Sequence, residues 1–491
     1  MVGLTPARAR LRHLMSNRGP KLLRDLVSLV TGQLTSMVIG VLAFAALARV
    51  LAPADYGAVE FAISLASFGA MVINCSIGTI GVREIARKPH RAGQIAAQVV
   101  TARTGLALLV VPALGLIGWL TGQPPAVSAL IWIVALSLLA LPFKQDWLLQ
   151  AHEKMHQAAL AQPLRTLVFA GGILVLARPG MSIQLVGWIE FLSILAMCGF
   201  YVIAQYRWTV PFKGGWPRTA PLYYLREGLA VGLSNILWAF MLYMPMVLLA
   251  WLGSSDGLAW LGAAQRLIIS LLTLSYLYFF NLFPVITRTI REEPETWARV
   301  MVSSVHVVAW TGIGAATAIT LLAEWIMTLI FGPNFVTAAP VLMILAWVFP
   351  LRVLTGHGRW SLIAAGKQKH LLRAELVGAC TLVVSAAVAI PLLDAPGAAL
   401  ALFAAILASG CVTQIATRKH VGMLSLLRPV LHPIAAAAAA IILAPLVTDD
   451  PLLRGLLGGG IFFAVGASQL RAFFRNLHRV SYAKETPTYT N

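Results

Sequence analysis

Apolar and polar positions alternate along this chain on a long wavelength, with runs of about 20 apolar residues separated by short polar gaps. Fourteen such runs fall at 26–48, 57–80, 95–118, 126–149, 158–177, 183–204, 226–251, 258–285, 300–322, 336–358, 370–393, 396–417, 430–447 and 452–472. A helix rises about 1.5 Å per residue, so roughly 20 apolar residues cross a ~30 Å hydrocarbon core. The pattern predicts an all-α polytopic membrane protein with about 14 transmembrane helices. Hydrophobic residues at 59% and charged residues at 11% of the chain agree with it.

Charge adds orientation. A formal net charge of +19 in a soluble chain would suggest a nucleic-acid partner. Here 29 of the 37 Lys and Arg fall at the N-terminus, in alternate gaps or toward the run ends that border them, and at the C-terminus. The opposite gaps hold only Arg49 and Arg178, alongside Asp55, Asp256, Asp394, Asp449 and Asp450. Basic loops stay inside, so both termini are expected in the cytoplasm. Most of the charge is then topological and held against anionic membrane lipids; no nucleic acid is expected as a partner.

A short segment recurs. Trp147, Leu149, Ala151 and Lys154 end the fourth run, and Trp360, Leu362, Ala364 and Lys367 end the tenth, all at one offset of 213 residues. Repeats separated by an even number of spans are parallel, related by an axis along the membrane normal. The expected organisation is a basic cytoplasmic N-terminus (1–25), a lobe of six helices (26–204), a cytoplasmic linker (205–225) and a second, pseudo-symmetric six-helix lobe (226–417). Two further helices (418–472) and a cytoplasmic tail (473–491) complete it.

Catalytic chemistry is not evident. No loop is long enough to form a domain, and the sequence has no H-E-x-x-H, G-x-S-x-G or Walker A motif. Cys75, Cys198, Cys380 and Cys411 all fall inside apolar runs, without metal or disulfide spacing. No catalytic residue, metal or cofactor is predicted, and the chain reads as a transporter. The basic N-terminus precedes an apolar run too long for a signal-peptide core, so the first helix is expected to remain.

Four segments carry a family resemblance. They are ARVLAPADYGAVEFAISLASFGAMVINCSIGTIGVREIAR (48–87), WLGAAQRLIISLLTLSYLYFFNLFPVITR (260–288), FGPNFVTAAPVLMILAWVFP with LIAAGKQKHLLRAEL (331–376), and IPLLDAPGAALALFAAILASG (390–410). In order and spacing they resemble the bacterial oligosaccharide flippases that move O-antigen or exopolysaccharide repeat units. These belong to the superfamily that also holds the lipid II flippases and multidrug exporters. The resemblance implies alternating access in the bacterial inner membrane, with undecaprenyl-pyrophosphate-linked oligosaccharide as cargo. A polysaccharide polymerase is a further partner to consider. The two extra C-terminal helices resemble lipid II flippases, so lipid II stays an alternative cargo, and an ion-coupled drug exporter is a second one. A membrane polymerase or ligase is a more distant alternative. Where relatives carry paired Asn in the eleventh span, this chain has Glu375, Gly378 and Cys380.

A pyrophosphate needs a cationic path, and an ionisable residue deep in a span is a functional candidate. Arg266 lies about 12 Å into the eighth span; it reads as a pyrophosphate contact or as half of a structural ion pair. Arg103 in the third span and Arg165 in the fifth lie about a third of the way in. Arg49 sits against the orientation rule, either at the cargo's exit or paired with Asp55. Arg24 and Asp25 begin the first span; the resemblance gives such a pair a place in cargo binding, and the plainer reading is a charge anchor. Glu190 in the sixth span is a coupling-ion site or the neutraliser of Arg103 or Arg165.

Overall fold

The computed structural model describes residues 31–212, 220–292, 294–422 and 427–482. Every regular element among them is helical. The α-helices are α1 (Thr31–Val50), α2 (Pro53–Asn74), α3 (Ile77–Arg87), α4 (Ala92–Leu120), α5 (Pro125–Ser137), α6 (Asp146–Ala151), α7 (Met155–Leu176), α8 (Ile183–Trp208) and α9 (Ala220–Leu252). They continue as α10 (Ser255–Glu292), α11 (Pro294–Leu321), α12 (Ala323–Phe331), α13 (Ala339–Ala346), α14 (Val348–Ala364), α15 (Gln368–Leu393), α16 (Ala395–His420), α17 (Leu427–Val447) and α18 (Pro451–Tyr482). Among the described residues, 13 helical stretches are long and apolar enough to cross a membrane. The fourteenth run lies in α18, whose apolar part, Pro451–Ala467, is shorter. This is a multi-pass membrane protein.

Proline explains many boundaries. It opens α2, α5, α11 and α18, where a first-turn residue has no use for its amide and a fixed φ favours the helix. Three predicted spans are not single helices. The fourth breaks into α5, a 3-10 helix at Leu138–Phe143 containing Pro142, and α6; proline removes an amide and clashes with the preceding turn. The tenth comprises a 3-10 helix at Pro333–Ala338, α13 and α14. The second stops at Asn74, because Cys75 (φ 37°) and Ser76 (φ 54°) are left-handed, and restarts as α3.

Packing divides the chain into two units. The first holds the described residues up to Arg266 together with Ile330–Gly332 and Ala386–Ala398; the second holds the described residues of 267–329, Pro333–Ser385 and those from Ala399 onward. In the first unit α8 packs against α7 and α5, and α2 against α9, α4 and α5. One of its cores gathers Leu149, Ala161, Ile194, Met197 and Tyr201. The second unit is built on α11, against which α14, α17 and α18 pack. Its core includes Phe279, Met301, Trp310, Val353 and Phe462, with Trp310 edge-on to Phe462 at 5.4 Å.

The two recurring segments fold alike. Lys154 donates its amide to the Leu149 carbonyl at 2.8 Å, and Lys367 donates to Leu362 at 2.8 Å. The residue before each lysine is left-handed, Glu153 at φ 57° and Gly366 at φ 71°. This is the closing turn that ends many helices, and it favours glycine. The 213-residue offset therefore relates backbone conformations as well as letters.

Gly57 marks a tight crossing in the first unit. A Cβ there would lie 2.7 Å from the Ala259 amide nitrogen and 2.9 Å from the Ser255 carbonyl oxygen. These are backbone atoms of α10, which cannot step aside cheaply. Gly57→Ala is expected to lower thermal stability by ~1–3 kcal/mol. Gly105→Ala, with nothing within 4 Å of the new Cβ, is expected to leave it unchanged or higher. Melting curves of the two purified variants compare them directly.

Candidate functional site

The first unit contains a cavity of about 250 Å³ lined by α2, α4, the Leu138–Lys144 segment, α7, α8 and α9. Its polar lining includes Asn74, Arg103, Lys144, Arg165, Glu190 and Tyr243. Three of these are basic and one is acidic, so the lining has an excess of positive charge.

Arg103 is the most unusual of them. It is 3% exposed and lies on the face of α4 that also buries Val99, Val100 and Ala107. Its Nη1 donates to the Lys144 main-chain carbonyl at 2.9 Å and its Nη2 to Asn74 Oδ1 at 2.6 Å. Nε has no partner, and Arg103 forms no ion pair among the described residues. Local backbone shapes this arrangement. The left-handed break after Asn74 frees that side chain at a helix end. Gly78 leaves room: a Cβ there would lie 2.7 Å from Arg103 Nη2 and 3.0 Å from Trp147 Cβ. The bend at Pro142 brings the Lys144 carbonyl into reach.

Arg165 and Glu190 face each other across α7 and α8. Arg165 Nη2 donates to Glu190 Oε1 in a short ion pair, and Ser193 Oγ lies 3.1 Å from Glu190 Oε2 and 2.7 Å from the Glu190 carbonyl oxygen. Glu190 is thus the neutraliser of Arg165 and not of Arg103. Lys144 Nζ lies 3.6 Å from Asp146 Oδ2, where both side chains are well exposed.

Arg266, the deepest cation by sequence, is held differently. Its Nε and Nη2 donate to Glu60 Oε1 and Oε2 at 3.2 and 2.6 Å. Tyr56 donates to Glu60 Oε1 at 2.9 Å, and the Phe44 ring lies 3.5 Å from the guanidinium carbon. Arg266 does not line the cavity. Arg49 is exposed at the end of α1, beside Gly332 and away from the cavity. Arg24 and Asp25 lie outside the described residues.

Sequence reasoning missed several partners. Depth in a span does not pick out Lys144, Asn74 or Tyr243, and it gives no sign of which residue Glu60 pairs with. Arg359, one residue past the tenth predicted run, is 9% exposed inside α14. It forms a short ion pair with the fully buried Glu375, which Arg352 also faces at 3.8 Å. The segment that follows the second predicted run folds as α3. It buries Ile77, Ile80 and Ile85 and carries Arg83 3.0 Å from Glu227 on α9. Among the described residues, no three His, Cys, Asp or Glu side chains gather where a metal ion could be held.

Residues 22–290, more than half of the chain, match the family model described as polysaccharide biosynthesis protein. The chain belongs to that family. Solved structures agree on the fold of this family member. It covers 99% of a structure titled "Lipid II flippase MurJ, inward closed conformation", with 92% of its own length aligned, a TM-score of 0.74 and 12% identity. It covers 98% of an inward-facing multidrug resistance MATE family transporter of the MOP superfamily, over 81% of its own length, with a TM-score of 0.62 and 14% identity. An outward-facing conformation of a MATE family transporter aligns at a TM-score of 0.53 with 14% identity, over 81% of this chain and 95% of that one. No curated protein matches the sequence. The polysaccharide biosynthesis family member is thus all-helical among its described residues, with the fold of the flippase and transporter structures it matches.

Proposed function

We propose that this protein carries a polyprenyl-pyrophosphate-linked oligosaccharide, with undecaprenyl as the polyprenyl group, from the cytoplasmic to the periplasmic leaflet of a bacterial inner membrane. It does so by alternating access, for polysaccharide biosynthesis, making and breaking no bond. Both termini are cytoplasmic in this reading.

Arg103 carries the proposal. A buried guanidinium without a carboxylate is expensive, and such a charge persists in a membrane protein where it meets an anion. Arg presents a planar fork that suits phosphate oxygens. Lys144 and Arg165 line the same cavity and supply the remaining positive charge. The cavity, at about 250 Å³, falls below the ~300–1,000 Å³ of a pocket that encloses a drug-sized molecule. It suits a pyrophosphate and leaves the sugars and polyprenyl tail outside. Arg266 and Glu60 act as a structural clamp between α2 and α10. A cavity with this charge disfavours organic cations, which weighs against drug export.

Lipid II shares the pyrophosphate headgroup, and a lipid II flippase is among the structures this chain resembles in fold. One experiment separates the cargoes. In a strain lacking the protein, polyprenol extracts are analysed by mass spectrometry, and lectin binding to intact spheroplasts reports sidedness. Complete lipid-linked repeat units are expected to accumulate out of lectin reach, rescued by wild type but not by Arg103→Met. Accumulation of lipid II would reassign the cargo, and repeat units reaching the outer leaflet normally would overturn the proposal.

A further inference from the structure

Asn74 holds Arg103 through an oxygen that leaves the arginine's charge intact. A guanidinium has five N–H donors and no acceptor. The atom facing Arg103 Nη2 at 2.6 Å is therefore the amide oxygen, Oδ1, and Nδ2 lies on the other branch of the planar amide. Asn74 is exposed and lines the cavity. Among the described residues no acceptor takes its Nδ2 hydrogens.

The backbone fixes where this amide starts from. Asn74 is the last residue of α2, and the left-handed Cys75 and Ser76 turn the chain directly after it. Two glycines of α9 clamp that turn. A Cβ at Gly228 or Gly232 would lie 2.9 or 2.7 Å from the Cys75 carbonyl oxygen. The neutral polar side chains of the lining are Ser67, Asn74, Gln162 and Tyr243. Of these, among the described residues, only Asn74 is hydrogen-bonded to a charged side chain.

We infer that Asn74 sets the charge selectivity of the cavity, keeping Arg103 unneutralised and donating from Nδ2 to the same oxyanion that Arg103 binds. This rests on the reading of the cavity as a pyrophosphate site. Asn74→Asp keeps the shape of the side chain, and a carboxylate accepts from Arg103 at least as well as an amide does. The difference is charge. Arg103, Lys144 and Arg165 against Glu190 leave the lining two positive charges in excess. A pyrophosphate esterified at both ends has one ionised oxygen on each phosphate, so two negative charges. Asn74→Asp would neutralise Arg103 within the protein and set an anion beside the headgroup, where poor screening strengthens repulsion. Residue 74 thus separates two things that usually come together, positioning a buried arginine and cancelling its charge.

The test compares two variants of the full-length purified protein by isothermal titration calorimetry. The probe is a water-soluble pyrophosphate diester with a short prenyl chain and one sugar. Asn74→Ala removes the Nδ2 donor but leaves Arg103 charged, and is expected to weaken binding about tenfold. Asn74→Asp is expected to weaken it at least about a hundredfold, while melting no lower than wild type. A residue that only positions Arg103 gives the opposite order, since the carboxylate still accepts from the guanidinium and alanine does not. Asn74→Asp binding as tightly as Asn74→Ala, or more tightly, overturns the inference and leaves the pyrophosphate site standing. Wild-type affinity in Asn74→Ala does the same, whether or not Asn74→Asp folds. Absence of probe binding to folded wild type overturns the pyrophosphate reading and the inference with it.

Discussion

Replacing Arg103 by methionine is expected to leave the melting temperature nearly unchanged and to abolish transport. Two effects on stability oppose each other. Removing an arginine from within a span recovers ~2.5–3.5 kcal/mol on insertion-based scales. Against this, Asn74 Oδ1 and the Lys144 carbonyl lose their donor, at ~1–3 kcal/mol each if they stay dry. Both atoms belong to residues that line the cavity, where water can replace the guanidinium, so the terms nearly cancel. Binding has no such offset. Each charge-assisted hydrogen bond to a phosphate is worth ~1.5–3 kcal/mol, and losing two of them lowers cargo affinity at least about a hundredfold. Melting curves and a vesicle flipping assay on the same preparation separate the roles. An arginine with only a structural role would show the reverse, a lower melting temperature with transport retained by the folded fraction.

The largest loss of stability is expected from Glu375→Gln in the second unit. Glu375 is fully buried, ion-paired to Arg359, faced by Arg352 at 3.8 Å and hydrogen-bonded by Ser409 Oγ at 3.1 Å. Both arginine side chains are largely buried, at 11% and 15% exposure, so water screens them poorly. Taking the carboxylate charge away leaves two guanidiniums repelling each other, and breaking a buried pair from one side costs ~3–5 kcal/mol. At ~2–4 °C per kcal/mol for a domain of this size, the melting temperature should fall by about 10 °C. Adding Arg359→Met should recover most of the loss, since it removes one of the two opposed charges. A melting temperature within 2 °C of wild type, on the order of the shift from ~1 kcal/mol, would show that the cluster is well hydrated.

The runs of about 20 apolar residues located the helices, because in a bilayer a helix satisfies every backbone group within one such segment. Hydropathy did not register the breaks. Cys75 and Ser76 are ordinary residues in an apolar run, and only their left-handed φ angles separate α2 from α3. Pro142 was visible, but its consequence, a 3-10 segment that carries Lys144 to the cavity, depends on tertiary packing. Depth in a span picked out Arg103, Arg165 and Glu190, which the structure brings together. It also ranked Arg266 first, because depth says nothing about a partner 206 residues earlier in the chain. Pairings across helices follow from which faces meet, and no local pattern encodes that.

The interruption after Asn74 has an electrostatic consequence. An unbroken helix through Pro53–Arg87 would have used nearly all its amides on its own carbonyls. Restarting at Ile77 creates a second N-terminus, and the first turn of any helix has amides without intrahelical acceptors, together worth about half a positive charge. That start lies just beyond Ile73 and Asn74, both of which line the cavity. The carbonyl end of α2, whose Met71, Ile73 and Asn74 line the cavity, sits beside that start, so the two opposite fixed partial charges largely offset each other and the cavity's positive charge rests on its side chains.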